Sequence, residues 1–158
     1  MTASTPVQTT LEERVLEWTE QLCESLAENY KRYHRRMIEA NSVRFNADGK
    51  RADLSKYAQD QLEALDNGTA KLMKFRIESG RKYHKIIQQD FDTFRDRNEY
   101  RDGGVHAFVN KKTGEVYKAA SWKSPAKHVR YDLRVINERE YVLDPNNCGW
   151  AGGYLYMK

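Results

Sequence analysis

Ser121, Trp122, Lys123, Ser124, Pro125, Lys127 and Arg130 fall within one short, acid-free segment. Ser124-Pro125 has the form of a helix N-cap followed by proline at the first helical position. A helix start offers unpaired N–H groups and a partial positive charge, a combination that favours phosphate. Lys123, Lys127 and Arg130 surround it, and the three-residue step from Lys127 to Arg130 puts both on one helical face. The Trp122 ring can stack on a base, and the Ser121 hydroxyl can bond a phosphate oxygen. Lys118 lies just upstream. The candidate ligand-binding residues are therefore Lys118, Ser121, Trp122, Lys123, Lys127 and Arg130, and the chemistry they suit is binding of an anion or nucleotide. A plainer reading keeps Trp122 as the cap of a small core and the cations as solvated surface. No Walker-type phosphate loop accompanies the segment.

Other chemistry-bearing residues are more dispersed. His34, His84, His106 and His128 form neither a HExxH motif nor a Cys/His cluster, so no metal site is assigned. His84 and His106 become neighbours if their strands pair. No nucleophile, base and orienting group are spaced together, so no catalytic residue and no cofactor is assigned. Cys23 and Cys148 lack metal spacing and do not form a disulfide framework, which points to a reducing compartment. Asn146-Asn147-Cys148-Gly149-Trp150-Ala151-Gly152-Gly153 reads as a loop of small residues anchored by Trp150, expected beside the Trp122 loop. Tyr83, Phe108, Tyr117, Tyr154 and Tyr156 alternate with cations on expected strands, a pattern that suits single-stranded nucleic acid as well as core packing.

The elements that must position these residues change character along the chain. Thr10-Leu11-Glu12-Glu13 is a capping box. Leu11, Val15, Trp18, Leu22, Leu26, Tyr30, Tyr33 and Met37 then mark one stripe of a long helix ending at Asn41-Ser42. A second helix, from Asp53 or Ser55, carries Leu54, Tyr57, Ala58, Leu62 and Leu65 and ends at Asn67-Gly68. From Leu72 the period becomes strand-like. Leu72 to Glu78 and Lys82 to Ile87 flank a Ser79-Gly80 turn, and Gln88 to Asp102 reads as a loop or helical excursion. Val105 to Val109 and Glu115 to Ala120 form a hairpin about Lys111-Lys112-Thr113-Gly114. Tyr154-Leu155-Tyr156-Met157 reads as a last strand. The expected class is α+β: two N-terminal helices, the first one long, then a small antiparallel sheet. Residues 1–68 form the helical region and residues 69–158 the sheet domain.

The chain has 158 residues and a formal charge of +4, with a mean hydropathy of −0.90. No apolar run is long enough to span a membrane. Residues 1–29 hold six Glu against Arg14, whereas residues 71–85 hold six Lys and Arg against Glu78. The long helix is acidic at its start and basic at Lys31 to Arg36, which suits antiparallel pairing with a second copy or burial on a partner element of the same chain. The basic second half points to an anionic partner, either a nucleotide-like small molecule or nucleic acid.

The stretch from Val105 to Leu133, with VHAFV, KKTGEVYKAASW and PAKHVRY, followed by GGYLY at Gly152 to Tyr156, resembles small accessory proteins of tailed bacteriophages. The resemblance covers about a third of the chain and leaves out the N-terminal helices. The general plan of oligomer-forming helices and a basic aromatic sheet is similar to that of the Thoeris anti-defence sponges, phage proteins that sequester cyclic nucleotide signals. The resemblance implies a non-enzymatic phage protein of the host cytoplasm that binds a phosphate-bearing ligand as a homo-oligomer. The alternative is a nucleic-acid-binding or virion-associated structural protein. No ligand contact of that family is carried over to a residue of this sequence.

Overall fold

A computed structural model describes residues 9–42, 44, 45, 49, 51, 52 and 55–156. The helix α1 spans Leu11–Ser42. Its first turn is capped by the Thr10 Oγ1, which accepts from the Glu13 N–H at 3.1 Å. Val15, Leu22, Cys23 and Leu26 are buried along its inner stripe, with Trp18 packed beside them. The stripe departs from expectation at both ends. Leu11 is exposed, and near the C-terminus Ile38 is buried while Met37 is 37% exposed. The inward side changes there because α1 meets a different neighbour, α2 (Lys56–Asn67). Ala58 and Leu65 of α2 close a small second core on Ile38. The expected start of α2 is met at Ser55, whose side chain caps the Ala58 N–H, and its end at Gly68 in the left-handed conformation. Leu54 lies outside the described residues. A two-residue pair, β1 (Arg44–Phe45) and β2 (Arg51–Ala52), lies between the helices.

The sheet is five-stranded and antiparallel: β3 (Lys74–Ser79), β4 (Tyr83–Asp92), β5 (Glu99–Asn110), β6 (Glu115–Lys118) and β7 (Tyr131–Asp132), in that spatial order. The α+β class is thus the observed one. Ile86, Ala107, Val109 and Val116 bury one face against Val15, Leu22 and Leu26 of α1. Burying each of the Ile, Leu and Val side chains contributes roughly 1.5–3 kcal/mol. This core crosses the division between residues 1–68 and 69–158, so helix and sheet stabilise each other directly.

Three sequence expectations need correction. Gln88 to Asp102 is not a loop: β4 and β5 continue as a long hairpin and turn at a 3-10 segment, Phe94–Asp96. Its strands are polar because Arg76 and Gln89 bond Asp102, and Arg97 and Arg101 bond Asp92, in place of apolar contacts. The chain also forms an unforeseen helix, α3 (Ile136–Val142). Tyr154 to Tyr156 form no strand: Gly153–Leu155 is a 3-10 turn entered through Gly152 at φ 84°, while Met157 lies outside the described residues. Among the described residues, no helix is long and apolar enough to cross a membrane.

The β4–β5 ladder is irregular where it matters. Ile86 pairs with Ala107 and Ile87 with Val105, which leaves His106 as an extra residue on β5. Gln89 then pairs with Asp102, leaving Gly103 and Gly104 opposite Gln88 alone. Bulges of this kind bend the strand and re-aim side chains.

Candidate functional site

The segment after β6 does not start a helix. Ala119 bridges Pro125, and the Ala120 and Ser121 N–H groups donate to the Ser124 carbonyl at 3.0 and 3.1 Å. The Ala126 N–H bonds the Lys118 carbonyl at 2.7 Å, and the Arg130 N–H bonds the Val116 carbonyl at 2.8 Å. The chain thus folds back along β6, and of the donors that a helix start at Ser124 would offer an anion, the Ala126 N–H is spent on the Lys118 carbonyl and the Ser124 N–H on the Ser121 hydroxyl. Pro125 is accommodated because its missing N–H has no role in this turn. Ser121 Oγ accepts from the Lys123 and Ser124 N–H groups at 3.3 and 3.2 Å, so it shapes the turn.

The six candidate residues are therefore spread over different surfaces. Trp122 is 44% exposed. It lies with the Lys85 ammonium 5.2 Å from its ring, on the face of the sheet that carries Phe108. Lys123 lines a shallow cavity shared with Arg81, Lys85 and the acidic Glu78. Lys127 is exposed. Lys118 and Arg130 remain near each other in a different sense: each lines one of two adjoining cavities. His84 and His106 do not meet. His84 bonds Ser79 Oγ at 2.7 Å near the other end of β4.

The first cavity, about 350 Å³, opens at the β5 bulge. Gln88, Gly104, Val105 and His106 form its strand side, Lys118 and Ala119 its rim, and Trp150, Gly152 and Tyr156 its loop side. The loop is buttoned to α1. Asn29 Nδ2 donates to the Pro145 carbonyl at 2.8 Å, and Asn29 Oδ1 accepts from the Trp150 N–H at 3.0 Å. Trp150 packs on Tyr30 and Tyr33 of α1, with ring centroids 5.2 and 5.1 Å away, rather than on the Trp122 loop. Gly152 stands over His106: a Cβ there would lie 3.8 Å from the imidazole Cε1. The Lys118 ammonium sits 4.7 Å from the centre of the Tyr156 ring, a cation–π contact that fixes the charge at the rim.

His106, half-buried, forms the inner end of this cavity. Its Nε2 lies 2.7 Å from the Tyr154 hydroxyl, and its ring packs edge-on against Phe75. Burial pushes its pKa down to about 4, and burial likewise raises that of Tyr154, so both are neutral near pH 7. Burial also pushes the Cys23 thiol up to about 12 and Cys148 to about 11.

The second cavity, about 800 Å³, lies between residues 129–131 and the loop, and it shares Ala151 and Tyr156 with the first. Arg130 enters it with a guanidinium held by carbonyls: Nε donates to Leu155 at 2.6 Å, and Nη1 to Lys127 and His128 at 2.7 and 2.6 Å. Tyr131 and Tyr141 stack at 6.0 Å and 20° along one wall. Among the described residues, no Asp or Glu lines either cavity, in a chain that holds 23 of them. Of these lining residues, Lys118 and Arg130 were legible from the basic stretch. Gln88, Trp150, Tyr141 and Asn147 were not, although Gly103-Gly104 and Gly152-Gly153 punctuate the sequence at the two places where backbone closes on the site.

No curated protein and no solved structure matches the chain. A family model described as "Family of unknown function (DUF7717)" matches residues 1–157, and the chain belongs to that family.

Proposed function

We propose that this protein binds a phosphate-bearing, nucleotide-like small molecule in the cavity at the β5 bulge and does not transform it. One observation carries the reading: a fixed ammonium, Lys118, faces a cavity with polar and aromatic walls and, among the described residues, no carboxylate to neutralise it. A cavity of about 350 Å³ is at the small end of ligand pockets. The groups that would do chemistry are poorly tuned for it. A general base works best with a pKa near the working pH, whereas His106 lies near 4. Thiols held at about 12 and 11 stay protonated and weakly nucleophilic. The general plan of helices suited to assembly beside a basic aromatic sheet, similar to that of the Thoeris anti-defence sponges, supports a narrower form: sequestration, in the host cytoplasm, of a cyclic nucleotide signal of host defence.

Isothermal titration against a broad panel of mono-, di- and cyclic nucleotides tests the reading. We expect saturable binding that weakens about tenfold or more in Lys118→Ala, the scale of one charge-assisted contact. Absence of heat across the panel, or unchanged affinity in Lys118→Ala, overturns it.

A second reading, binding of single-stranded nucleic acid, draws on the opposite face of the sheet. There Lys85 lies between the Phe108 and Trp122 rings, and Tyr83 and Tyr117 flank Phe108. Phe108 is 2% exposed, so Trp122 is the ring best placed to stack on a base. This reading, and a virion-associated role with it, requires retardation of oligonucleotides in gels and a steep loss of affinity with salt. No shift at low salt excludes it.

A further inference from the structure

The two adjoining cavities have complementary linings, and their chemistry differs in a way that defines the ligand. Resting on the reading that the bulge cavity takes a phosphate, we infer that the ligand is a dinucleotide-type molecule. It carries two separated anionic groups and at least one aromatic base, and it lies across both cavities between Lys118 and Arg130.

Among the described residues, each cavity is lined by one Lys or Arg and no carboxylate. Arg130 is pre-organised: Nε and Nη1 are committed to three carbonyls, and Nη2 has no hydrogen-bond partner among the described residues. Carbonyl partners orient a guanidinium without cancelling its charge. A second anion therefore has a fixed donor to meet, and the ordering cost of that donor is met in the free protein. Two cations in two cavities ask for two negative centres on one molecule, or for two molecules. The shared wall favours one molecule. Ala151 and Tyr156 line both cavities, so the path from one to the other runs past a small residue and a ring that is 64% exposed.

The lining of the second cavity names the part of the ligand that is not phosphate. Tyr141 is 49% exposed and backed by Tyr131, which holds it as a platform. Tyr131 is itself fixed by donating to the Tyr154 carbonyl at 2.9 Å. Beside the platform stand two side-chain amides with opposite free ends. Asn147 spends its Nδ2 on the Tyr141 carbonyl at 3.0 Å, which leaves its Oδ1 as an acceptor. Asn146 spends its Oδ1 on Arg32 at 3.0 Å, which leaves its Nδ2 as a donor. A donor and an acceptor next to an aromatic platform match the edge and face of a nucleobase. The volume of about 800 Å³ holds a nucleoside, whereas a lone phosphate would leave it mostly water.

The test compares inorganic phosphate, nucleoside monophosphates and 5′-phosphorylated linear dinucleotides of adenine and of guanine, by isothermal titration on the full chain. The dinucleotide of the preferred base is expected to bind at least about tenfold more tightly than its monophosphate, the worth of one stacked base. Tyr141→Ala is expected to erase that margin by weakening the dinucleotide about tenfold more than the monophosphate. Tyr141 donates no side-chain hydrogen bond and is half exposed, so this variant keeps the fold, which circular dichroism checks. Equal affinity for the two ligand sizes overturns the inference, and so does a Tyr141→Ala loss that is the same for both. If monophosphates bind in a Lys118-dependent way and dinucleotides gain nothing, the bulge-cavity reading stands and the two-cavity ligand falls. If no phosphate-bearing compound binds at all, both fall.

Discussion

His106 shows how one inserted residue sets both a cavity and a titration. As the extra residue of the β5 bulge, it sits against Tyr154 and Phe75, and burial holds its pKa at about 4 against an ordinary 6.5. Between those two values the unfolded chain binds a proton that the folded chain refuses. The stability this residue confers is therefore complete above about pH 6.5 and is lost as the pH falls toward 4, by up to about 3 kcal/mol. His84, whose pKa burial also lowers, adds to the same slope. Urea melts from pH 7 to pH 4 should show a steeper fall in wild type than in His106→Gln, which stays neutral throughout. Parallel slopes would show that His106 is solvated in the native state. Arg130 illustrates the opposite case, a charge kept because it is structural as well as available. Removing its side chain in Arg130→Ala leaves the Leu155, Lys127 and His128 carbonyls without their donor. A loss of roughly 2 kcal/mol or more in the unfolding free energy is expected, since hydrogen bonds to charged groups contribute about 1.5–3 kcal/mol each.

Elements with a long, uninterrupted period were legible, and those that depend on pairing were not. α1 repeats its apolar step over 32 residues, and the hairpin from Val105 to Lys118 alternates cleanly about a glycine turn. The extension of β4 and β5 from Gln88 to Asp102 was hidden because ion pairs such as Arg76–Asp102 replace apolar alternation, and because bulges break the period. α3, with seven residues, is shorter than two turns, too little for a helical stripe to declare itself. Ser124-Pro125 misled for a specific reason: an N-cap and a β-turn favour the same residues, and only the long-range bonds to Lys118 and Val116 decide between them. The candidate site suffered accordingly. Lys118 and Arg130 were found through their charge, but their aromatic neighbours come from α3, the loop and the C-terminal turn. At the hairpin itself, Gly114 holds φ 75°, and a Cβ there would lie 3.3 Å from both Leu133 Cβ and Val15 Cγ2. Gly114→Ala combines a disfavoured backbone with a clash against α1. A loss of about 2 kcal/mol or more is expected by thermal or urea unfolding, and a cost under about 0.5 kcal/mol would mean that α1 yields there.

At the scale of the molecule, α1 serves the two cores in turn, the sheet core through its first half and α2 through its last turns. Most of its apolar stripe is consumed within the chain, so assembly through α1 would rest mainly on the outward charges: Glu13, Glu17, Glu20 and Glu24 at one end, Arg32 and Arg36 at the other. Such a dimer would be held by screened charge pairs. Light scattering is expected to show a dimer at low ionic strength that dissociates as salt is raised toward 1 M. A monomer at low salt would remove α1 as an assembly surface.

The two thiols have a practical consequence. Cys23 and Cys148 lie fully or almost fully buried in the core shared by α1, the sheet and the loop, with pKa values near 12 and 11. Neither can react with a maleimide or disulfide reagent until its surroundings open. Cys148 belongs to the loop that walls both cavities, whereas Cys23 belongs to the helix beneath, so the pair forms a built-in stopwatch. If the loop detaches on its own, Cys148 will be modified ahead of Cys23, and a bound ligand will slow the first reaction without touching the second. If both are modified at one rate, loop and helix open as a single unit, and the cavities exist only while the whole domain is folded.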